Sequence, residues 1–230
     1  MASKAWSKFN KNAEDIDSLL DLWEGVVNLW DKEPVPNEYE VLFRSAVVLM
    51  VSHWEAYVED ICSEALDHLV SHVEDASKLP KDIKKLIAGE IKKKDHELEM
   101  WKLADSGWKE YLRSRLVELK RERDRHFNTP KAHNTAEFLI KAIGVDPRPK
   151  WKTNELTADE VAKKLDDLIE IRGQIAHRGE IDQKIDQQWV AEHVALLRHV
   201  ASWTGGAINS HLLKVTRKPL WVKKKSEVKS

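Results

Sequence analysis

A long uninterrupted helical pattern in the first third of the chain limits what this sequence can fold into. Residues 37–75 contain no glycine and no proline, the two residue types that most often interrupt helices. One face of the segment carries apolar residues at helical spacing, namely Phe43, Val47, Met50, Trp54, Val58, Ile61 and Ala65. Because residues 46–51 are apolar all round, the middle of this helix should be buried on every side. The segment predicts a central helix.

The rest of the chain also favours helices. Glycine (8) and proline (7) are scarce among 230 residues, 33% of residues are charged, and no strand pattern is visible. We therefore predict an all-α bundle with a long central helix and additional helices. Its expected parts are a helical extension (residues 1–36), a main domain (37–213) with a helical insertion at about 80–150, and a basic, flexible tail (214–230).

Several helix ends can be predicted from capping residues. Asn134 is a plausible N-cap for a short helix that stops at Gly144. Asp186 can cap the last long helix, which the pair Gly205-Gly206 should weaken or end.

Charge and cysteine content argue against a chain that is basic overall and against one held together by internal disulfides. The formal net charge is −1, so a surface that binds nucleic acid would have to come from local basic patches. Residues 81–94 and the tail are the candidates. For residues 81–94, a solvated helix surface is the simpler interpretation. A single cysteine, Cys62, allows no intrachain disulfide and favours the reducing cytosol. We expect no targeting segment, and the longest apolar run is far shorter than the roughly 20 residues of a membrane span.

One charged residue lies within an apolar stripe in the last third of the chain. Thr157 and Glu160 form a capping box that opens a helix ending near Gly179, and Arg172 continues its core-facing stripe: Val161, Leu165, Leu168, Arg172, Ile175. A buried guanidinium is costly unless it has an acidic partner or an anionic ligand, and its planar fork suits phosphate.

A histidine follows this arginine on the same helix. His177 lies five residues after Arg172, about 140° further round an ideal helix, so the two side chains converge only if the last turn unwinds at Gly179. The structural alternative pairs Arg172 with a core carboxylate and leaves His177 as a polar residue at a helix C-terminus. Separately, the spacing of Glu64, His68 and His72 could hold a metal, although a polar surface ridge is the simpler interpretation.

Three segments resemble one family. LIEIRGQIAHRG (residues 168–179) resembles the R-x4-H signature of HEPN domains. RSAVVLMVSHWEAYVED (44–60) is similar to the first core helix of the RiboL-PSP-like branch, and FNTP (127–130) with the later IGV (143–145) resembles its middle segment. The resemblance covers roughly residues 41–197.

The resemblance implies a function. It implies a bundle that dimerises and brings two R-x4-H motifs into one cleft, with metal-independent endoribonuclease activity, often in toxin–antitoxin or phage-defence settings. The expected partners are RNA, a second copy of the chain, and an antitoxin or defence component, and no cofactor is expected. Arg172 and His177 become the candidate catalytic pair. Glu55, or else Glu59, could orient the arginine, and a carboxylate that simply faces solvent is the equal alternative.

One departure from the family pattern leaves an alternative open. The residue after the arginine is usually polar, and here it is Gly173. Some HEPN domains are non-catalytic modules for RNA binding or dimerisation. In the catalytic reading, the 2′-OH of RNA attacks the adjacent phosphorus, His177 moves a proton, Arg172 stabilises charge, and the product is a 2′,3′-cyclic phosphate.

Overall fold

A computed structural model describes residues 3–29, 36–93, 97–125, 130–178 and 183–222. Within these ranges the chain is all-α, as predicted, and contains no strand. The seven α-helices are α1 (Lys4–Leu29), α2 (Pro36–His72), α3 (Lys81–Lys92), α4 (Gly107–Arg125), α5 (Ala132–Ile143), α6 (Ala158–Arg178) and α7 (Gln187–Thr216). Short 3-10 helices occupy Ala76–Lys78, Glu97–Leu103 and Arg148–Lys150.

The central helix α2 organises the bundle. It packs against α1, α4, α5, α6 and α7, and Val47, Trp54 and Cys62 have no exposed surface. By length and composition alone α2 could cross a membrane, but 44% of its most apolar stretch is buried inside the fold. The prediction that residues 46–51 are buried on every side is wrong in part, because Leu49 is 36% exposed and Val48 is only half-buried.

The first helix is anchored to α2 by a carboxylate. The Glu64 side chain accepts hydrogen bonds from the backbone nitrogens of Lys4 (3.1 Å) and Ala5 (3.0 Å), which are unsatisfied donors at the start of α1. Phe9 and Ile16 are buried against the bundle. Residues 4–29 thus pack on the same core as the domain, and the boundary drawn at residue 36 stays a prediction.

The start of α5 differs from the prediction. Asn134 is not its N-cap, because the helix already begins at Ala132. The Ala132 backbone nitrogen donates to Asp166 Oδ1 of α6 at 2.7 Å, so the cap comes from another helix. Just before it, the Pro130 carbonyl accepts a hydrogen bond from Trp54 Nε1 at 3.0 Å. The other end is as predicted, with Gly144 in the left-handed region (φ 77°).

The last helix also differs from the prediction, because Gly205-Gly206 does not end α7. A Cβ at position 205 would lie 2.9 Å from the Tyr57 hydroxyl oxygen and 3.3 Å from the Trp221 ring, so glycine here allows close packing. Tyr57 donates to the Ala201 carbonyl at 2.7 Å. These contacts offset the roughly 1 kcal/mol that glycine costs in a helix.

The beginning of the expected tail is folded. α7 continues to Thr216, and the Trp221 backbone nitrogen donates to Asn209 Oδ1 at 3.2 Å. Residues 223–230 lie outside the described part of the chain, so the flexibility expected for the tail stays a prediction there.

A buried ion pair joins α3, α4 and α5. Arg115 of α4 has a side chain only 5% exposed, and its Nε lies 2.8 Å from Glu90 Oε1 of α3. The same guanidinium donates to the Lys141 carbonyl of α5. Tyr111 donates to Glu90 at 3.0 Å. Burial, and then this hydrogen bond, raise the pKa of Tyr111 to about 12, so its hydroxyl keeps the proton it donates.

We expect Gly144→Ala to destabilise the protein by about 1–2 kcal/mol, because an L-residue in the left-handed region is strained. The added Cβ would also lie 3.2 Å from Ile83 and 3.3 Å from Pro80. The matched control is Gly89→Ala, whose Cβ would meet nothing within 4 Å on α3, and which should be neutral or stabilising. Urea unfolding followed by tryptophan fluorescence measures both, and equal effects would contradict this account.

Candidate functional site

The helix that carries the candidate pair begins as predicted. In the capping box, the Thr157 nitrogen donates to Glu160 Oε2 at 2.8 Å, and the Glu160 nitrogen lies 3.3 Å from Thr157 Oγ1. From there Val161, Leu165 and Leu168 are fully buried. This start sets the rotation of α6, and the rotation determines which later residues face the bundle.

Arg172 lies where the stripe reaches the edge of the core. Its side chain is half-buried. Its Nε is buried and has no hydrogen-bond partner among the described residues. Arg115 shows the opposite arrangement, since its buried Nε has Glu90 as partner. An unsatisfied buried donor costs about 1–3 kcal/mol, so the position of Arg172 suits an anionic ligand.

His177 is exposed and lies in the last turn of α6, which is helical through Arg178. With α6 regular to this point, Arg172 and His177 point about 140° apart around the helix axis. The predicted unwinding at Gly179 falls outside the described residues. Within the described helix, one chain therefore does not place the two side chains on one ridge.

The two predicted supporting carboxylates lie on α2. Glu55 and Glu59 are both half-buried. Glu59 Oε2 is 4.0 Å from Lys120 Nζ of α4, which gives this carboxylate a cationic neighbour other than Arg172. Among the described residues, no ion pair joins Arg172 to either glutamate. A supporting role for Glu55 or Glu59 stays a prediction.

Position 173 is open. A Cβ added to Gly173 would meet nothing within 4 Å. Packing around the Cβ position therefore does not require glycine beside Arg172.

Sequence reasoning missed a surface groove along α7. Its lining includes Leu156, Lys164, His193, His199 and Trp203. The His193 ring stacks on Trp189 with centroids 3.6 Å apart, and burial lowers the pKa of His193 below its usual value. Histidine and tryptophan four residues apart, found twice on one helix, are the sequence signal that could have revealed it.

Two of the three α2 residues whose spacing could hold a metal, Glu64 and His68, make other contacts. The Glu64 carboxylate caps α1, and His68 Nε2 lies 3.0 Å from the Lys218 carbonyl. Across the described residues, no group of three or more His, Cys, Asp or Glu side chains is arranged to hold a metal ion.

An all-helical bundle with an R-x4-H motif at the end of a core helix has the architecture of HEPN proteins. The family model described as RiboL-PSP-HEPN matches residues 7–202, from α1 into α7, so the chain belongs to this family. No curated protein and no solved structure matches the chain. Membership indicates a nuclease or an RNA-binding module.

The contrast between the two arginines predicts different costs for the same substitution. Arg172→Met should change the free energy of unfolding by less than about 1 kcal/mol, because the Arg172 Nε has no partner to lose among the described residues. Arg115→Met should cost about 2 kcal/mol, less than the 3–5 typical of fully buried pairs, because Glu90 keeps partial contact with water. Urea denaturation measures both. If Arg172→Met proved as costly as Arg115→Met, a structural role for Arg172 would be indicated.

Proposed function

We propose that the protein is a metal-independent endoribonuclease that uses Arg172 and His177. The observation that carries the proposal is the buried Arg172 Nε without a hydrogen-bond partner among the described residues, on the same helix as an exposed histidine. A phosphate oxygen would supply the missing acceptor, and arginine binds phosphate through parallel hydrogen bonds.

RNA can be cleaved with protein groups alone because its own 2′-OH is the nucleophile. A base takes the 2′-OH proton as this oxygen attacks phosphorus, the bond from phosphorus to the 5′-oxygen breaks, and an acid protonates the leaving oxygen. The products are a 2′,3′-cyclic phosphate and a 5′-OH. Histidine suits the proton transfers near neutral pH, and arginine suits stabilisation of charge on the phosphoryl oxygens.

We further propose that the working site contains two copies of the chain. The cleavage needs one proton acceptor and one proton donor, and each chain offers a single His177. The rotation of about 140° between Arg172 and His177 on a regular helix also favours a cleft in which residues of two subunits meet. A homodimer would supply two R-x4-H motifs to one phosphodiester.

A second candidate is a non-catalytic module that binds RNA or mediates dimerisation. Gly173 favours it, because glycine leaves no polar side chain beside Arg172.

In the catalytic proposal, the protein acts in the cytoplasm as a toxin or antiphage effector, with an antitoxin or defence component as partner. Growth inhibition on expression that Arg172→Ala or His177→Ala relieves would support that role.

We expect purified protein to cleave total RNA in EDTA, and His177→Ala and Arg172→Ala to lower the rate by about 100-fold or more. His133→Ala and Arg113→Ala are matched controls, because both side chains are exposed on other helices, and they should keep full activity. Gel analysis and end-group mapping of the 2′,3′-cyclic phosphate measure the result. Cleavage that requires added Mg²⁺, or that survives both substitutions, would contradict the proposal.

The two-subunit site predicts that one defective chain inactivates the shared site. A mixed dimer of one unaltered chain and one His177→Ala chain keeps a single His177 for two proton transfers, so it should retain far less than half of the activity of the unaltered dimer. Two different affinity tags allow the mixed dimer to be isolated and assayed, with the unaltered and the His177→Ala homodimers as controls. A monomeric protein in solution, or a mixed dimer that keeps half of the activity, would contradict a shared cleft.

A further inference from the structure

Three lysines form a ridge on the outer face of α3. At 3.6 residues per turn, Lys81, Lys85 and Lys92 lie within about 40° of one another around the helix and span about 16 Å along it. All three are exposed. The opposite face carries Ile83 and Ile87, which are buried in the core, so packing holds the lysine ridge toward solvent.

The space between these lysines is open. Ala88, on the same face, is small and exposed, and a Cβ on the neighbouring Gly89 would meet nothing within 4 Å. The lysine side chains therefore project beside small residues, and no bulky side chain at Ala88 or Gly89 blocks an extended polymer from lying along the ridge.

The exposed surface of α3 is more positive than the count of its charged residues suggests, because one of its two acids contacts α4. The helix contains two acids, Asp82 and Glu90. Glu90 is engaged by Arg115 and Tyr111 at the contact with α4. This leaves Asp82 as the one exposed carboxylate on α3, in a protein whose net charge is only −1.

An exposed aromatic side chain follows the ridge. In the 3-10 helix Glu97–Leu103, Trp101 is 73% exposed and Met100 is 68% exposed. This segment packs against α4, and α4 is joined to α3 through Glu90. Trp101 is thus linked to α3 through α4, on the side of α3 that carries Glu90.

We propose that the lysine ridge and Trp101 bind single-stranded RNA outside the cleavage site, an inference that rests on RNA being the substrate of the proposed function. Lysines along a track bind the phosphate backbone, and an exposed aromatic ring stacks on a base whatever its identity. A protein partner fits less well, because lysine is depleted at protein interfaces. A membrane fits less well, because the apolar face of α3 is already buried in the core.

The ridge is remote from the candidate catalytic residues. α3 packs against α5, where Gly144 lies beside Pro80 and Ile83. The opposite end of α5 is tied to α6 by the hydrogen bond from Ala132 to Asp166. Since α5 has 12 residues, about 18 Å separates its ends. RNA long enough to reach the ridge should therefore bind more tightly than a dinucleotide.

The test uses the full chain carrying His177→Ala, so that binding is measured without cleavage. The probe is a fluorescein-labelled oligouridylate, followed by anisotropy over a range of salt concentrations. The triple variant Lys81→Gln, Lys85→Gln, Lys92→Gln should bind more weakly, and the slope of log affinity against log salt should become shallower by about 2, since each single-strand phosphate contact contributes about 0.7.

A second triple variant controls for the change in net charge. Lys11, Lys152 and Lys163 are also exposed, and changing these three to Gln alters the net charge equally without touching α3. This control should keep the parental affinity and salt slope. Trp101→Ala should lose roughly 5- to 100-fold in affinity with an unchanged salt slope, and Trp101→Phe should retain most of the affinity because its ring still stacks.

The outcomes separate this inference from the proposed nuclease activity. In protein with His177 intact, the ridge variant should raise KM and leave kcat unchanged, because the lysines do not contact the scissile phosphate. If no RNA is cleaved but the ridge variant alone loses affinity, the RNA-binding surface stands and the nuclease proposal fails. If the two triple variants bind RNA alike, or if the ridge is needed only for binding anionic phosphatidylserine vesicles, the inference is overturned.

Discussion

The packing of several helices against α2 is the constraint on which the rest of this structure depends. A helix of 37 residues with apolar side chains on more than one side cannot be covered by one neighbour, so several helices must each direct an apolar stripe toward it. α1, α4, α5, α6 and α7 all pack against α2. The rotation of α6 that places Arg172 at the edge of the core follows from this requirement, because Val161, Leu165 and Leu168 must face inward.

Directional hydrogen bonds determine how these stripes are positioned against α2. Trp54 donates to the Pro130 carbonyl ahead of α5, and Tyr57 donates to the Ala201 carbonyl of α7. Asp166 caps α5 from α6. Apolar contact is non-directional, whereas a buried donor must find its acceptor. These few bonds therefore orient α5, α6 and α7 around the central helix.

The two arginines at the edge of the core differ in their roles, because one stabilises the fold and the other is proposed to bind a ligand. Arg115 is buried more deeply and is satisfied by Glu90 and the Lys141 carbonyl, so it joins three helices. Arg172 is half-buried and keeps a donor without a partner within the described chain. Leaving such a donor unsatisfied costs free energy, and the proposed phosphate ligand would recover that cost on binding.

The sequence alone determined the all-α class, the central helix, the capping box at Thr157 and the stripe that includes Arg172, because helical periodicity and local capping depend only on neighbouring residues. It misplaced the start of α5 and the effect of Gly205, because the acceptor for Ala132 and the close packing of Tyr57 come from residues far away in the chain. The pairing of Arg115, and the lack of a partner for Arg172 Nε within the described residues, were likewise decided by tertiary structure. The sequence does not show which acidic side chains lie beside either arginine, because the helices packed against it determine whether a carboxylate comes within reach.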